Sequence, residues 1–151
     1  MIRNATPDDI PALLELGELM HAESRYAHMK WSALKVCRLI EWLIENDEGL
    51  ALVAERDGEV IGGFLGVIEE HYFTEEKVAG DLALFVNPDK RGGIAACQLL
   101  RAFIAWAQKQ NVSLIQAGIT TGVNLDTSTR LFEAVCGRLV GHLFEFEVAR
   151  S

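Results

Sequence analysis

The chain has 151 residues, half of them apolar and 24% charged, which fits a single globular domain able to bury its own core and excludes a disordered tail. Its formal net charge of −8 argues against nucleic-acid binding, because affinity for a phosphate backbone rests on clustered Lys and Arg; a negative field attracts a cationic amine, although solubility alone also accounts for such a charge. Cys37, Cys97 and Cys136 make no CxxC pair and lie beside no histidine cluster, which argues against a metal site or a disulfide frame and for a reducing, cytoplasmic compartment.

In chain order, residues 2–5 read as a short strand. Thr6, Pro7, Asp8 and Asp9 then supply a capping hydroxyl, a first-turn proline and acids for a helix start. This N-terminus lacks the basic and apolar regions of a secretory signal. Ile10, Leu13, Leu14, Gly17 and Met20 follow at helical spacing, and residues 32–46 form a second helix with Leu34, Cys37, Ile40, Leu43 and Ile44 on one side. Residues 50–55 and 60–67 are strands joined by an Asp57-Gly58 hairpin turn. Gly62, Gly63 and Gly66 inside the second strand predict a bulge or a close backbone approach. The longest apolar stretch, residues 60–68, is about half of the ~20 residues that a membrane helix needs, so no membrane contact is expected.

A polar loop spans 69–77, and residues 82–86 form a strand closed by Asn87-Pro88. A long helix follows over 91–110, then a strand over 112–117, a helix over 127–135 and a closing strand over 139–148. The order β-α-α-β-β-β-α-β-α-β predicts a mixed α/β fold with an antiparallel meander in the middle. No repeat or linker divides it, so residues 1–151 are expected to form one domain. Three consecutive strands before the key turn argue against a dinucleotide-binding arrangement of alternating strands and helices.

The most informative stretch is the strand through Leu84, Phe85 and Val86, its turn, and the helix opening at Arg91, Gly92, Gly93, Ile94, Ala95 and Ala96. A helix start leaves several backbone N–H groups unpaired and carries about half a positive charge, so it can hold a diphosphate while small residues let the ligand approach. A Gly-Gly pair after a proline turn is also an ordinary way to begin a helix. Here the segment resembles the acetyl-CoA signature of the GNAT N-acetyltransferase superfamily, Q/R-x-x-G-x-G/A after a strand of the type L-x-V-x-P. Starting at Arg91 keeps the spacing to Leu99 and puts Ile94 where the family prefers glycine. Starting at Lys90 keeps that glycine and adds one residue before Leu99.

The resemblance spans nearly the whole chain, from the opening Ile2, Arg3, Ala5, Asp9 and Ile10 to an ending of Asn124, Ser128, Leu131, Phe132, Glu133, Cys136, Gly137 and Gly141. It implies acetyl-CoA as cosubstrate, with no metal, held by Phe85, Val86, Arg91 to Ala96, Asn124 and Ser128. Two further departures stand out. Phe132 occupies the place of a tyrosine thought to protonate the departing thiolate, and Cys136-Gly137 replaces the usual Gly-Phe.

The implied reaction is direct attack by a neutral primary amine of a small molecule or protein. The base is expected among Glu70, first, then Asp81, with Glu69 and His71 also qualifying by type and Tyr72 as a substitute acid; the alternative for each acid is a solvated loop. An oxyanion donor is expected near Phe85 or Val86. Residues 20–31 resemble a Met-His-x-Glu-Ser segment of small bacterial and phage-associated members. Glu23 would hold a cationic substrate there, with His21, Tyr26 and Trp31 shaping the pocket or, for His21 and Trp31, simply packing. Similar proteins commonly dimerise, and the alternation of residues 139–148 suits pairing across a homodimer interface. The competing classes are a non-catalytic acyl-CoA-binding module and a nucleotide-binding protein. The latter is disfavoured because no lysine-serine pair follows the glycines.

Overall fold

The chain was analysed as a computed structural model, which describes residues 1–148. Its centre is the meander that the Asp57-Gly58 turn specifies. Both turn residues have positive φ, 52° and 78°, as a turn matched to the twist of a two-residue hairpin requires. They join β2 (Gly49–Arg56) to β3 (Glu59–Glu70), and β4 (Lys77–Val86) continues antiparallel to β3. β1 (Ile2–Asn4) pairs antiparallel with β2, and β5 (Leu114–Gln116) pairs parallel with β4, giving a mixed sheet in the order β1-β2-β3-β4-β5.

Helices cover both faces. α1 (Ile10–Glu23) and α2 (Ala33–Glu45) pack Leu13, Ile40 and Leu43 on Ala51, Val53, Leu65 and Phe85. α3 (Ala95–Gln108) packs Leu99, Leu100 and Phe103 on Leu50, Leu52, Phe64 and Ile68, with the half-buried Leu131 and Phe132 of α4 (Leu125–Ala134) beside them. Strand β2 is therefore buried on both faces, which is why it reads as an unbroken apolar run. The Phe64 and Phe103 rings stack at 4.6 Å between centroids. A Cβ on Gly63 would come within 2.6 Å of Leu13 Cδ2, so glycine lets α1 lie close against β3. The bulge expected within β3 occurs at Ile61, next to Gly62, where the β2–β3 register steps from Ala54↔Gly62 to Glu55↔Val60; a second step, between Leu65 and Gly66, leaves Leu82 of β4 unopposed.

The order of elements from β1 to α4 is the one the sequence predicts, with four differences. β4 begins at Lys77 and not at 82, so the polar loop shrinks to 71–76. α3 begins at Ala95 and not at 91, because Gly92 has φ +90° and cannot be helical. β5 spans only three residues. Residues 139–148 do not form the expected closing strand, and Leu139, Val140, Phe144, Phe146 and Val148 are exposed. The outer edge of so short a β5 offers almost no backbone for a ten-residue strand to pair with.

Two local devices hold the ends. Arg3 grips Asp9 with two parallel bonds, Nη1–Oδ2 at 2.7 Å and Nη2–Oδ1 at 2.9 Å, while Asp9 Oδ2 also accepts from Thr6 N–H at 2.8 Å. This ties β1 to the one-turn helix that starts α1, and the Arg3 guanidinium holds the buried Asp9 carboxyl below its ordinary 3.8. At the other end, Cys136 closes α4 in the left-handed conformation, φ +70°, with its N–H on Glu133 O and the Gly137 N–H on Phe132 O, both at 3.0 Å. Glycine normally occupies that position because a Cβ there is strained.

Asp9→Asn should lower unfolding free energy by about 1.5–3 kcal/mol at neutral pH, the range for a partly buried hydrogen bond to a charge, measured by urea denaturation. Because the folded carboxyl is depressed, its contribution is complete above the ordinary 3.8 and is lost as pH falls through the lower folded value. The two proteins should therefore converge in strong acid. Cys136→Gly should raise stability by up to about 1 kcal/mol by relieving the left-handed strain, read from the same curves.

Candidate active site

Strands β4 and β5 part almost as soon as they meet. Their ladder covers Val78↔Leu114, Ala79↔Ile115 and Gly80↔Gln116. The next link is made by a side chain, Asp81 Oδ1 accepting the Gly118 N–H at 3.1 Å. Beyond it, residues 82–86 have no partner on the β5 side among the described residues. The bulge that leaves Leu82 unopposed by β3 sits at the same point, and bulges characteristically re-aim side chains at such places. Burial pushes the Asp81 carboxyl up from its ordinary value, and the Gly118 N–H only partly opposes the shift.

The open edge of β4 also presents backbone groups. Asn87 donates its N–H to Ile61 O on β3 at 2.7 Å. Alternation along the strand then turns the Phe85 N–H toward β3 and the Leu84 and Val86 N–H groups toward the gap. Of the two residues considered as oxyanion donors, Val86 is the one with a free amide. Phe85 is buried against the α1–α2 face.

At the end of β4 the chain passes through a one-turn helix, Pro88–Lys90, and the left-handed Gly92 into α3. The first α3 amide with a backbone acceptor outside the helix is Gln98, on Ile94 O at 2.9 Å. No acceptor among the described residues is recorded for the N–H groups of Gly92 to Cys97. Gly92, Gly93 and Ile94 are exposed. A cradle of unpaired amides thus faces solvent where α3 carries its partial positive charge, and these residues fit an anionic diphosphate.

The α1–α2 connection closes one side of this region. Glu23, at the last position of α1, accepts from Arg91 Nη1 at 3.1 Å and is also paired with Arg91 Nη2. Arg25 donates its backbone N–H to Thr121 O at 2.9 Å, its Nε to Thr120 O and its Nη2 to Tyr26 Oη at 2.8 Å. Glu23 and Tyr26 are thereby brought to the Arg91–Gly92 turn and to the loop after β5. His21 and Trp31 instead pack on each other, ring centroids 5.5 Å apart, with Trp31 lying over Gly17. Arg25, Gly118 and Thr121 were not singled out from the sequence. Their contacts join residues far apart in the chain, and no local spacing signals them.

The remaining candidates lie elsewhere. Glu70 pairs in register with Lys77 at the far end of the β3–β4 hairpin and is exposed, as is Glu69. His71, Tyr72 and Phe73 stack on one another in the turn beyond, with Tyr72 84% exposed. That end is about 30 Å along β4 from Val86, whereas Asp81 is about 17 Å away, at roughly 3.3 Å per residue. Asn124 starts α4 with φ +46° and Ser128 stands one turn on. Phe132 packs into the core around α3. Among the described residues no group of three His, Cys, Asp or Glu side chains could hold a metal ion, and no helix is long and apolar enough to cross a membrane. A cleft of about 450 Å³ lined in part by Asn4, Gly49, Trp106 and Gln110 lies at the opposite end of α3 from the Gly92 turn.

Comparison with known proteins follows the same outline. The acetyltransferase (GNAT) family model matches residues 14–137. A transcriptional regulator from Bacillus halodurans has a similar structure, with a TM-score of 0.77 at 16% identity over 98% of this chain and 99% of its own. An aminoglycoside 6'-N-acetyltransferase from Acinetobacter haemolyticus gives 0.72 at 18% identity, over 100% and 99%. An aminoglycoside acetyltransferase from an uncultured soil metagenomic sample, in complex with sisomicin, gives 0.67 at 15%, over 98% and 96%. At such identities the likeness is one of fold. No curated protein matches the chain in sequence.

The environment of Asp81 makes a stability prediction independent of any ligand. A carboxyl raised on folding binds its proton more tightly in the folded state, so its ionisation destabilises the fold as pH rises from the ordinary 3.8 through the folded value. Asp81→Asn keeps an oxygen for the Gly118 N–H and removes the half-buried charge. It should raise the urea midpoint at pH 7 and leave it unchanged near pH 3.

Proposed function

We propose, from the premise that this chain belongs to the acetyltransferase (GNAT) family, that it is a single-domain N-acetyltransferase using acetyl-CoA to acetylate a primary amine. The observation that carries the cosubstrate is the run of unpaired amides from Gly92 to Cys97 in front of α3, which suits the diphosphate, with Arg91 as its cationic side chain. The open edge of β4 by Val86 would take the pantetheine arm, and Asn124 and Ser128, in the first turn of α4, would add to its binding. Acetyl-CoA supplies the acetyl thioester, whose carbonyl carbon an amine nitrogen attacks, the C–N bond forming and the C–S bond breaking as the thiolate leaves.

Asp81 is the favoured base. The attacking amine must lose its proton, and a carboxylate whose affinity for protons is raised by burial accepts one at neutral pH better than an exposed one. Asp81 sits where β4 and β5 separate, about 17 Å along the strand from Val86 at roughly 3.3 Å per residue, so it takes the proton through intervening water, whereas Glu70, His71 and Tyr72 lie at the more distant hairpin end. The Val86 N–H is placed to donate to the carbonyl oxygen as it becomes negative; a preorganised donor of this kind is worth on the order of 10²–10³ in rate. With Phe132 in the core, no tyrosine of α4 protonates the sulfur. A thiol with a pKa of about 8.5 leaves tolerably as the anion.

The acceptor remains an amine in general. Aminoglycosides are suggested only by the names of two of the similar structures. The negative chain and the loop holding Glu23 and Tyr26 favour a cationic one. The exposed face formed by Val140, Phe144, Phe146 and Val148 supports a homodimer.

Calorimetry should show binding of CoA and acetyl-CoA but not NAD. A thiol-release assay over spermidine, sisomicin and a lysine-containing peptide should show turnover, and Asp81→Asn should lower kcat by about 10²–10⁴ without loss of CoA binding. CoA binding with no turnover on any amine would favour an acyl-CoA-binding module. Absence of CoA binding would remove the proposal.

A further inference from the structure

Glu23 is the last residue of α1, at the negative end of that helix, where its charge is unfavourable. Arg91 follows the one-turn helix Pro88–Lys90 and directly precedes the unpaired amides that lead into α3 at Ala95. Each position suits a ligand of opposite charge: a cation beside Glu23, an anion beside Arg91. In the protein alone they satisfy one another through two charge-assisted bonds across 68 residues of sequence. We propose that this pair is a latch coupling the two substrates. The diphosphate takes Arg91 from Glu23, and the freed carboxylate then holds a cationic amine.

Three features support the exchange. The two side chains are about one-third exposed, 32% and 31%, so their pair is weak enough to be displaced. The planar guanidinium binds phosphate oxygens with the same paired geometry that it uses for a carboxylate. The segment carrying Glu23 is pinned independently by Arg25 to Thr120 and Thr121 and by the buried Ser24, whose Oγ donates to His21 O at 2.8 Å. Glu23 therefore stays in place when Arg91 turns away. Either ligand breaks the same pair, so each promotes binding of the other, and by linkage the two effects are equal.

This inference rests on the acetyl-CoA reading of the turn, and the experiment separates the two. CoA is titrated by calorimetry into the wild type, Glu23→Gln and Asp89→Asn. The last removes an acid from the same turn, where its side chain makes no recorded contact with Arg91 among the described residues. Glu23→Gln should tighten CoA about 5-fold, the scale of a weak coupling, and Asp89→Asn less than 2-fold. Spermidine titrated into wild type should bind about 5-fold more tightly with saturating CoA than without it, and Glu23→Gln should abolish that difference. Weaker or unchanged CoA binding in Glu23→Gln would show that Glu23 positions Arg91 or does nothing. Equal tightening in Asp89→Asn would reduce the effect to the general field, and spermidine affinity indifferent to CoA would remove the coupling; each of these overturns the latch while leaving the CoA site intact. A wild type that binds no CoA overturns both.

Discussion

The site depends on backbone groups left without partners where two parallel strands separate. β4 and β5 share three residue pairs and then part at Asp81, and everything beyond that point on the open edge of β4 is available to something other than protein. A sheet interior normally satisfies its own amides and carbonyls, and unsatisfied ones are expensive when buried. Here the gap is kept by a carboxylate bridging to Gly118, by a bulge at Leu82 and by the left-handed Gly92 that delays α3 until Ala95. Each deflects the chain from the regular pairing that would otherwise fill the gap.

The same features work against stability. Asp81 is buried enough to resist ionisation, and the α3 amides from Gly92 to Cys97 find no acceptor in the described chain. A fold of this size tolerates such positions because its core is carried elsewhere. The stacked Phe64 and Phe103, the Leu13–Gly63 contact and the Arg3–Asp9 grip all lie outside the gap. Among the described residues no buried side-chain polar atom lacks a partner.

Two departures from the family pattern have separate structural meanings. Phe132 packs against the core cluster around α3, so the residue at the place where the resemblance implies a tyrosine serves apolar packing. Cys136 takes up the left-handed helix end that glycine would adopt freely, which is a local strain and not a new chemical group at the site. Under the proposed reaction the first bears on how the thiolate leaves; the second bears only on stability.

Much of this was legible in residue order. The Asp57-Gly58 hairpin, the glycines that predict a bulge, the Asn87-Pro88 stop and the small residues at the start of α3 are local signals, because turn geometry and helix ends are decided by a few neighbouring residues. They were enough to give the run of strands and helices through α4 and the turn with unpaired amides that precedes α3. Local pattern misled where pairing partners decide the outcome: residues 139–148 alternate like a strand yet find no sheet edge long enough to join. The different burial of Glu70 and Asp81 was not visible in sequence, where only residue type can be read. The joining of Glu23 to Arg91 and of Arg25 to Thr121 was equally hidden, since such contacts depend on how α1 and the loop after β5 are brought together over the sheet. Sequence determined the turn that can hold an anion; only tertiary packing decided which acid lies in the parting of the strands and which charges meet there, because desolvation and long-range contact exist only once distant segments share a place.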